Sequence, residues 1–297
     1  MNCELKYADT PVVEIIDPMI EKAGVRLLIK REDLNHPFVS GNKWWKLKYN
    51  LQEAIRLNLP IMTFGGAYSN HIFATAAACQ ELNIPSVGII RGEKTLPLNN
   101  TLSFAESCGM KLRFVSRENY RNKETDDFID QLKKQLGTFY LISEGGTNDL
   151  AVKGCAEYAS EVLSKHSVDH ILLPVGTAGT LAGLICGFKG EKDIIGISVL
   201  KGGEFLTNTT AGLVKKYSGR SYGNWSVLTS YHHGGYAKET KALTDFVRAM
   251  KDRHNLPLDT VYTGKLMWAV FKEIEERRFP RGSTVLALHT GGLQGRI

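Results

Sequence analysis

The alternation of short apolar runs with longer helical stretches constrains the fold of this chain more than any other feature of its sequence. The apolar runs with the composition of buried strands lie at 25–30, 61–64, 86–90, 111–115, 139–142, 170–175, 194–200 and 284–289. The helical patterns between them include 70–83, 152–166 and 240–254. Strands that alternate with helices form right-handed βαβ units, in which helices cover both faces of a parallel sheet. The pattern therefore predicts an α/β fold of mostly parallel sheets flanked by helices.

The size and composition of the chain indicate an ordinary globular protein with a large core. It has 297 residues, of which 43% are hydrophobic, and this length usually supports two domains. The formal net charge is +6, but the basic residues are spread along the chain and form no run interleaved with aromatic residues. We therefore expect no nucleic-acid partner. No apolar run approaches the length that spans a bilayer, so we expect no membrane partner either.

The cysteines and the N-terminal segment indicate a reducing compartment. Five cysteines are widely spaced and form no Cys-x-x-Cys pair: Cys3, Cys79, Cys108, Cys155 and Cys186. Such a set favours neither a disulfide framework nor a zinc site. The first 16 residues are charged and lack the apolar stretch of a secretory signal, so we predict a cytoplasmic protein. Because His71 has no second histidine at a suitable spacing, we predict no metal site.

Glycine-rich segments follow four of the predicted strands. They are the segments 65–70, 144–148, 176–180 and 289–292. Because ligands of open α/β sheets bind outside the carboxyl ends of the strands, we expect these segments to meet in one crevice. The chain has no internal repeat, no low-complexity stretch and no long linker rich in proline and serine. This absence of a visible linker is consistent with one domain inserted in another.

The segment "PVGTAGTLAGL" (174–184) has the composition of a phosphate-binding turn between a strand and a helix. Gly176 and Gly179 allow the backbone to approach an anion closely, and the N–H groups at the start of the following helix attract negative charge. Thr177 and Thr180 add hydroxyl donors. The segment lacks both the Walker loop and the dinucleotide fingerprint, so it suits one phosphate better than a nucleotide. A tight turn that only packs a helix on a sheet is the alternative.

The segment "SGNKWWKLKYN" (40–50) places Lys43 in the first turn of a helix that we predict to open at Ser40 or Asn42. A cation there opposes the helix dipole, which is unfavourable unless the lysine has another use. A desolvated lysine loses its proton readily and becomes a nucleophilic amine that can bond to an aldehyde. Lys46 lies on the same helix face and could bind a phosphate of the same ligand. The alternative is a solvated helix with two buried tryptophans, because most lysines lie at protein surfaces.

Polar residues near the other glycines add candidates for a binding site. Ser69 or Asn70 can cap the helix that follows the first glycine-rich segment. Capping explains one polar residue there, but not the run of Ser69, Asn70 and His71 directly after a strand end. Tyr262 stands at a predicted helix start, and Tyr236 follows two glycines. Each of these features is ordinary when it occurs alone.

Six motifs occur together along the chain. In order they are "KREDL" (30–34), "SGNKWWKL" (40–47), "GGAYSNH" (65–71), "VGTAGTLAGL" (175–184), "VYTGKLM" (261–267) and "HTGG" (289–292). The set resembles the pyridoxal-phosphate-dependent enzymes of the 1-aminocyclopropane-1-carboxylate (ACC) deaminase and D-cysteine desulfhydrase family. The resemblance extends from Lys30 to Gly292, nearly the whole chain. It implies the two-domain tryptophan synthase β-like fold, fold type II, with pyridoxal phosphate as cofactor and a homodimer as the assembly.

The resemblance also implies roles for individual residues. Lys43 matches the catalytic lysine that bonds to the aldehyde of the cofactor, and Asn70 matches the residue that binds its phenolic oxygen. Ser69 matches the serine near the substrate's carboxylate and α-carbon. Tyr262 matches the tyrosine beside the cofactor ring, and Tyr236 matches the tyrosine that faces the substrate. The residues that match the phosphate-binding group are Lys46, Gly176, Thr177, Ala178, Gly179 and Thr180.

The resemblance extends to two threonines and to the domain organisation. Thr263 falls where the family places the partner of the pyridine nitrogen, and Thr290 lies in the last of the six motifs and is a further cofactor-binding candidate. The larger, cofactor-binding domain would consist of residues 1–45 and 151–297. The smaller domain, residues 46–150, would be inserted between these two parts.

Thr263 and Thr290 also place the chain nearer to one branch of the family. The ACC deaminases resemble "VYEGK" and "HLGG" at these positions, whereas the desulfhydrase-like branch has threonine at both, as this chain does. A carboxylate opposite the pyridine nitrogen keeps that nitrogen protonated, and a threonine hydroxyl holds the proton less firmly. Weaker electron withdrawal suffices when a good leaving group such as thiolate departs. The resemblance therefore implies β-elimination from a small amino acid, with D-cysteine as the leading substrate, to give a 2-oxo acid and ammonia.

Three alternatives to this activity remain open at the level of the sequence. The first is ACC deaminase activity, and the second is a homologue that binds pyridoxal phosphate without catalysis. The third is a nucleotide-dependent α/β enzyme, which the missing dinucleotide fingerprint disfavours. The chain also departs from the family at Tyr68, at Phe73 and at the pair Trp44 and Trp45. The two tryptophans could pack a domain interface or narrow the site.

Overall fold

The computed structural model of the protein describes residues 5–163 and 167–296. The strands are β1 (Val12–Glu14), β2 (Arg26–Lys30), β3 (Ile61–Gly66), β4 (Ser86–Arg91), β5 (Lys111–Val115), β6 (Tyr140–Ile142), β7 (His170–Val175), β8 (Asp193–Ser198), β9 (Trp225–Leu228) and β10 (Thr284–Leu288). The helices are α1 (Pro18–Ala23), α2 (Asn42–Leu57), α3 (Asn70–Glu81), α4 (Asn100–Ser107), α5 (Arg117–Tyr120), α6 (Asp126–Leu136), α7 (Asp149–Leu163), α8 (Gly179–Phe188), α9 (Phe205–Ser218), α10 (Lys241–His254) and α11 (Thr263–Glu275). Short 3₁₀ turns lie at Glu32–Leu34, Glu144–Gly146 and Leu293–Arg296.

Within the described residues the strands form two sheets. The larger has six strands in the order β1-β2-β10-β7-β8-β9, and only β1 is antiparallel to its neighbour. The smaller has four parallel strands in the order β5-β4-β3-β6. All eight predicted strands are present, and the prediction of mostly parallel sheets flanked by helices is confirmed. The edge strands β1 and β9 were not predicted from the sequence.

Side chains that alternate along the strands build a core on each face of the larger sheet. In β10, Leu286 and Leu288 belong to one buried cluster, and Val285 and Ala287 belong to the other. Helices α2, α3, α7, α8 and α9 supply the first cluster, whereas α1, α10 and α11 supply the second. The first cluster continues to Ile61 of β3 in the smaller sheet. Helix α2 therefore packs between the two sheets, and its N-terminal turn lies where they meet.

The paired tryptophans belong to this core. The Trp45 ring stacks on Tyr158 with centroids 5.0 Å apart, and its indole N–H donates to the Glu32 carboxylate at 3.0 Å. Trp44 packs against Tyr7, with ring centroids 4.9 Å apart. Both tryptophan side chains are buried. Their role is to fix α2 to the larger sheet and to α7.

We propose that the four-stranded sheet and its helices form the smaller domain. The boundaries expected at 45/46 and 150/151 fall inside α2 and α7, so each passage between the domains would run along a helix. Among the described residues, no helix has the length and apolarity needed to cross a membrane.

Candidate active site

A cavity of about 510 Å³ lies at the carboxyl ends of strands from both sheets. The four glycine-rich segments that follow β3, β6, β7 and β10 all contribute to its lining. The candidate residues that line it are Lys43, Lys46, Ser69, Asn70, Gly176, Thr177, Ala178, Gly179, Thr180, Tyr236, Tyr262 and Thr290. Thr263 is not among the lining residues. The paired tryptophans also lie outside the lining, so they do not narrow the cavity.

Helix α2 begins where two backbone segments are in close contact. Gly41, its N-cap, has φ of 68°, a left-handed conformation that glycine adopts without strain. A Cβ at Gly41 would clash with the carbonyl of Thr290. The "HTGG" segment therefore packs directly against the start of α2, and this contact positions Lys43 at the cavity.

The Lys43 amine is a candidate nucleophile and proton acceptor. Its Nζ donates to the Asn42 side-chain oxygen at 2.9 Å, and the Asn42 amide donates in turn to Thr180 Oγ1 at 2.9 Å. Burial lowers the pKa of Lys43 to about 8. An appreciable fraction of the amine is therefore neutral near pH 7, which is the form that attacks an aldehyde.

Lys46 lies deeper, with only 2% of its surface exposed. Its Nζ donates to the Gly145 carbonyl at 2.6 Å and to Thr147 Oγ1 at 2.9 Å, and Thr177 Oγ1 lies 3.4 Å away. Burial lowers its pKa to about 7, and the charge of Lys43 adds to the effect. An anion beside this amine would favour its protonated form.

The lowered pKa of Lys46 predicts how stability depends on pH. Between pH 7 and its ordinary pKa of 10.5, the unfolded chain holds a proton that folded, cofactor-free protein lacks. The free energy of unfolding should therefore rise with pH across this interval, by up to about 1.4 kcal/mol per pH unit from this group. We expect denaturant titrations at about pH 7, 8 and 9 to show wild type gaining stability relative to Lys46→Met. A difference that is constant with pH would contradict the assignment.

The turn between β7 and α8 has the backbone geometry of an anion site. Ala178 has φ of 62°, which is uncommon for a residue with a side chain, and such strain is typical of functional turns. A Cβ on Gly179 would lie 2.9 Å from Thr147 Oγ1 and 3.2 Å from Lys46 Cε. A Cβ on Gly176 would lie 3.3 Å from the Tyr262 ring. The glycines therefore leave room beside Lys46 at the N-terminus of α8, where a phosphate would be stabilised.

The first turn of α3 brings polar groups to the opposite wall. Ser69 is the N-cap, and its hydroxyl accepts from the Ile72 N–H at 3.3 Å. Asn70 follows and also lines the cavity. His71 is buried, and its Nε2 lies 2.7 Å from Thr63 Oγ1. Burial and the charges of Lys43 and Lys46 lower the pKa of His71. His71 therefore stays neutral and supports the wall, and no cluster of metal-binding side chains occurs among the described residues.

Two tyrosines form a further wall of the cavity. The Tyr236 and Tyr262 rings are arranged edge to face, with centroids 6.0 Å apart. Burial raises the pKa of both hydroxyls above the ordinary value. Both phenols therefore remain protonated at neutral pH. The Tyr262 hydroxyl donates to Tyr236, which leaves the Tyr236 hydroxyl to donate a hydrogen bond to a bound molecule.

Thr263 lies behind the cavity wall. It is fully buried at the start of α11, and its hydroxyl donates to Asp259 Oδ2 at 2.5 Å. The same hydroxyl accepts from the Asp259 N–H at 3.0 Å, so its proton is already committed. Asp259 thus places a buried carboxylate behind Thr263, which the sequence motif alone did not indicate. The expected role of Thr263 at the pyridine nitrogen stays a prediction.

Three residues that the sequence analysis did not select also contribute to the site. Arg91, at the end of β4, and Glu144, after β6, line the cavity, and Thr147 binds Lys46. Glu144 and Thr147 belong to a glycine-rich segment that was expected to reach the crevice. The signal for Arg91 was its place at a strand end before Gly92, which has φ of 104°.

These residues fit a pyridoxal phosphate group. One end of the cavity combines a buried lysine, threonine hydroxyls and a helix N-terminus. Glycines there leave room that a Cβ would fill, so this end suits a phosphate. Lys43 supplies an amine with a lowered pKa in the same cavity, which suits an aldehyde. Near Gly292, a Cβ would lie 2.9 Å from Asn70 Nδ2 and 3.2 Å from Asp259 Oδ2, so glycine keeps this wall open as well.

Comparisons with known proteins agree with this geometry. A "Putative 1-aminocyclopropane-1-carboxylate deaminase" of Thermotoga maritima is 30% identical over 310 residues, covering 99% of this chain and 97% of that protein. A bifunctional D-cysteine desulfhydrase/ACC deaminase of Arabidopsis thaliana is 30% identical over 297 residues, covering 92% of this chain and 73% of that protein. The crystal structure of an ACC deaminase homologue superposes with a TM-score of 0.87 at 27% identity, covering 99% of this chain and 92% of that chain.

The family assignment follows from the site and these likenesses together. The family model described as "Pyridoxal-phosphate dependent enzyme" matches residues 4–291. The resemblance of the six motifs to the ACC deaminase and D-cysteine desulfhydrase family is thereby confirmed. The chain belongs to the family of pyridoxal-phosphate-dependent enzymes, and pyridoxal phosphate is its cofactor.

Proposed function

We propose that this enzyme catalyses β-elimination from a small amino acid, with D-cysteine as the leading substrate. The observation that carries the proposal is the Lys43 amine, whose pKa is lowered. This amine lies in the same cavity as Lys46, which marks the end of the cavity suited to a phosphate. The products would be a 2-oxo acid, ammonia and the leaving group. For D-cysteine these are pyruvate, ammonia and hydrogen sulfide.

The cofactor would be held by groups at both ends of the cavity. Lys46 and the turn from Gly176 to Thr180 would bind its phosphate, because they combine a lysine amine with the N-terminus of helix α8. Asn70 and Tyr262 would fix the orientation of the ring, and Thr290 would close the wall beside α2. When bound, the cofactor supplies the electron sink that stabilises negative charge at the substrate's α-carbon.

The protein's own residues would bind the substrate and move its protons. Ser69, at the N-terminus of α3, would bind the substrate carboxylate, where N–H groups and the helix dipole favour an anion. The neutral Lys43 amine would accept the α-proton. The bond to the β-substituent then breaks, its electron pair leaves with the sulfur, and a protonated Tyr236 could hydrogen-bond to that sulfur. The released enamine takes up water to give the 2-oxo acid and ammonia.

ACC deaminase activity is the second candidate, and two observations favour it. Relatives that cover nearly the whole chain carry that name, including the Thermotoga maritima protein. The Asp259 carboxylate behind Thr263 also supplies a negative charge that the motif "VYTGK" alone does not contain. Binding of pyridoxal phosphate without catalysis is the third candidate. The homodimer, the cytoplasmic location and the absence of a nucleic-acid partner stay predictions.

A substrate panel discriminates these candidates. We expect holoenzyme to release pyruvate from D-cysteine faster than from L-cysteine or D-serine, and to release little 2-oxobutanoate from ACC. The measurement is the initial rate of 2-oxo acid formation, with ammonia as the second product to confirm the stoichiometry. Faster turnover of ACC than of D-cysteine would favour the second candidate. No ammonia from any amino acid, in a preparation with bound cofactor, would favour the third.

A further inference from the structure

We propose that Arg91 binds a second anionic group on the substrate, so that the site prefers amino acids whose side chain carries a carboxylate or a similar anion. This inference rests on the proposed amino-acid activity and narrows its substrate class. D-cysteine would still enter the cavity, but a substrate with an additional anion would bind more tightly.

Arg91 lies at the cavity because of its place in the smaller sheet. It is the last residue of β4 and pairs in register with Gly66, the last residue of β3. A Cβ on Gly66 would lie 3.5 Å from Arg91 Nη2, so the guanidinium passes beside this glycine. Both residues line the cavity, together with Ser69 and Tyr236. The guanidinium is thus on the substrate side, next to the turn that opens α3.

The guanidinium has no ion pair or hydrogen bond with any residue that the structure describes. Its contact is with the Tyr120 ring, whose centroid lies 5.7 Å from Cζ. A guanidinium over a ring keeps its N–H groups available for a planar acceptor, and a carboxylate accepts two of them at once. The two lysines of the cavity differ, since both donate to protein oxygens.

The nearest acidic lining residue does not neutralise Arg91. Glu144 accepts a hydrogen bond from the Tyr120 hydroxyl at 2.9 Å and pairs with Lys123 at 3.4 Å. Its charge is therefore balanced from the side of Lys123. Burial raises the pKa of Tyr236, the charge of Arg91 lowers it, and the charge of Glu144 raises it, so the charge of Arg91 reaches the tyrosine placed beside the substrate.

The other anionic groups of the complex have separate sites. The phosphate end is built from Lys46 and the β7–α8 turn, which belong to helix α2 and the larger sheet. The α-carboxylate has the N-terminus of α3 at Ser69. Arg91 comes from β4 in the smaller sheet and is left without a ligand by both assignments. An anion on the substrate side chain would be the ligand of Arg91, in addition to the cofactor phosphate and the α-carboxylate.

The test compares ligands that differ by one carboxylate. Aspartate is alanine with a carboxylate added at the β-carbon, and glutamate carries its carboxylate one carbon further away. Both enantiomers of each are titrated into holoenzyme, and binding is followed through the visible absorbance of the bound cofactor. Because Arg91 is exposed, we expect one dicarboxylic amino acid to bind about 3- to 10-fold more tightly than alanine, as for one bidentate pair at the surface.

Two substitutions of Arg91 and one control assign this preference to the guanidinium. In Arg91→Gln the affinity for the dicarboxylic amino acid, divided by the affinity for alanine, should fall to near one. Arg91→Lys keeps the positive charge and should retain part of this ratio. A purely structural role of Arg91 would not predict that partial retention. Lys94→Gln removes a neighbouring exposed charge outside the lining and should leave the ratio unchanged. Equal affinities in wild type, or an unchanged ratio in Arg91→Gln, would overturn the inference. Because binding is measured, these outcomes hold even if no amino acid is turned over and the proposed activity fails.

Discussion

Replacement of Lys43 by alanine is expected to remove the visible absorption band of the bound cofactor and to abolish most turnover. Lys43 is the amine that we assign both to the covalent bond with the cofactor and to proton transfer at the α-carbon. Loss of a positioned acid–base group alone lowers rates by about 10²- to 10⁴-fold, and loss of the covalent bond adds to this. The measurements are the absorption spectrum of purified protein and the rate of 2-oxo acid release.

Lys48→Ala is the matched control for this prediction. Lys48 lies on the same helix, pairs with Glu157 at 2.7 Å, and is not among the residues that line the cavity. This variant should keep the visible band and the rate. If Lys43→Ala kept both while folding normally, the covalent role of Lys43 would be wrong.

Lys46→Met is expected to weaken cofactor binding without removing the covalent bond. Methionine is unbranched and apolar, so it occupies the buried position without a charge, but it cannot donate to a phosphate. The dissociation constant for pyridoxal phosphate should rise about 10- to 100-fold, the range expected when a charged hydrogen-bond donor is lost. The measurement is a titration of cofactor-free protein with pyridoxal phosphate, followed by the growth of the visible band.

A titration with pyridoxal, which lacks the phosphate, tests whether this loss arises at the phosphate. Wild type should bind pyridoxal more weakly than pyridoxal phosphate, and Lys46→Met should reduce that difference. An equal loss of affinity for both compounds would place Lys46 away from the phosphate. Lys48→Ala again serves as the control, because it removes a lysine from the same helix outside the cavity.

The buried strands were predictable because their apolar runs are continuous. Strand β7 is an example, since five of its six residues are buried. Strands β1 and β9 lie at the edges of the larger sheet, and within them no residue is buried. Their sequences therefore lack the apolar run by which the other strands were recognised. Position at an edge is not enough to hide a strand, because β5 is also an edge strand without a buried residue and its apolar run was recognised. Strands β1 and β9 are identified by their pairing with a neighbour, which is a tertiary property.

The start of helix α2 also depends on tertiary contacts that the local sequence does not reveal. The sequence predicted an opening at Ser40 or Asn42, and α2 begins at Asn42, which confirms the second of these. Gly41 is the N-cap because its backbone turns to fit against Thr290, a residue far along the chain. The lowered pKa of Lys43 likewise depends on burial by several segments. The motif indicated which lysine to examine, but only the packed structure explains its chemistry.

Arg91 and Asp259 show what motif analysis omits. Arg91 ends an ordinary apolar strand, and only its place at a strand end before Gly92 marks it in the sequence. Asp259 precedes Thr263 by four residues and contacts it through the turn that begins α11. Its carboxylate changes the electrostatic argument based on Thr263, because a threonine hydroxyl bonded to a buried carboxylate differs from an isolated one. Both residues become relevant only when the cavity is assembled.

The most direct test of the central claim is to locate the covalent bond between protein and cofactor. Holoenzyme is treated with borohydride, which fixes a lysine–cofactor bond, and is then digested and sequenced by tandem mass spectrometry. We predict that the cofactor is attached to Lys43 and that Lys46 in the same segment is unmodified. Attachment to Lys46 or to another lysine, or no attachment in a preparation that contains the cofactor, would contradict the account.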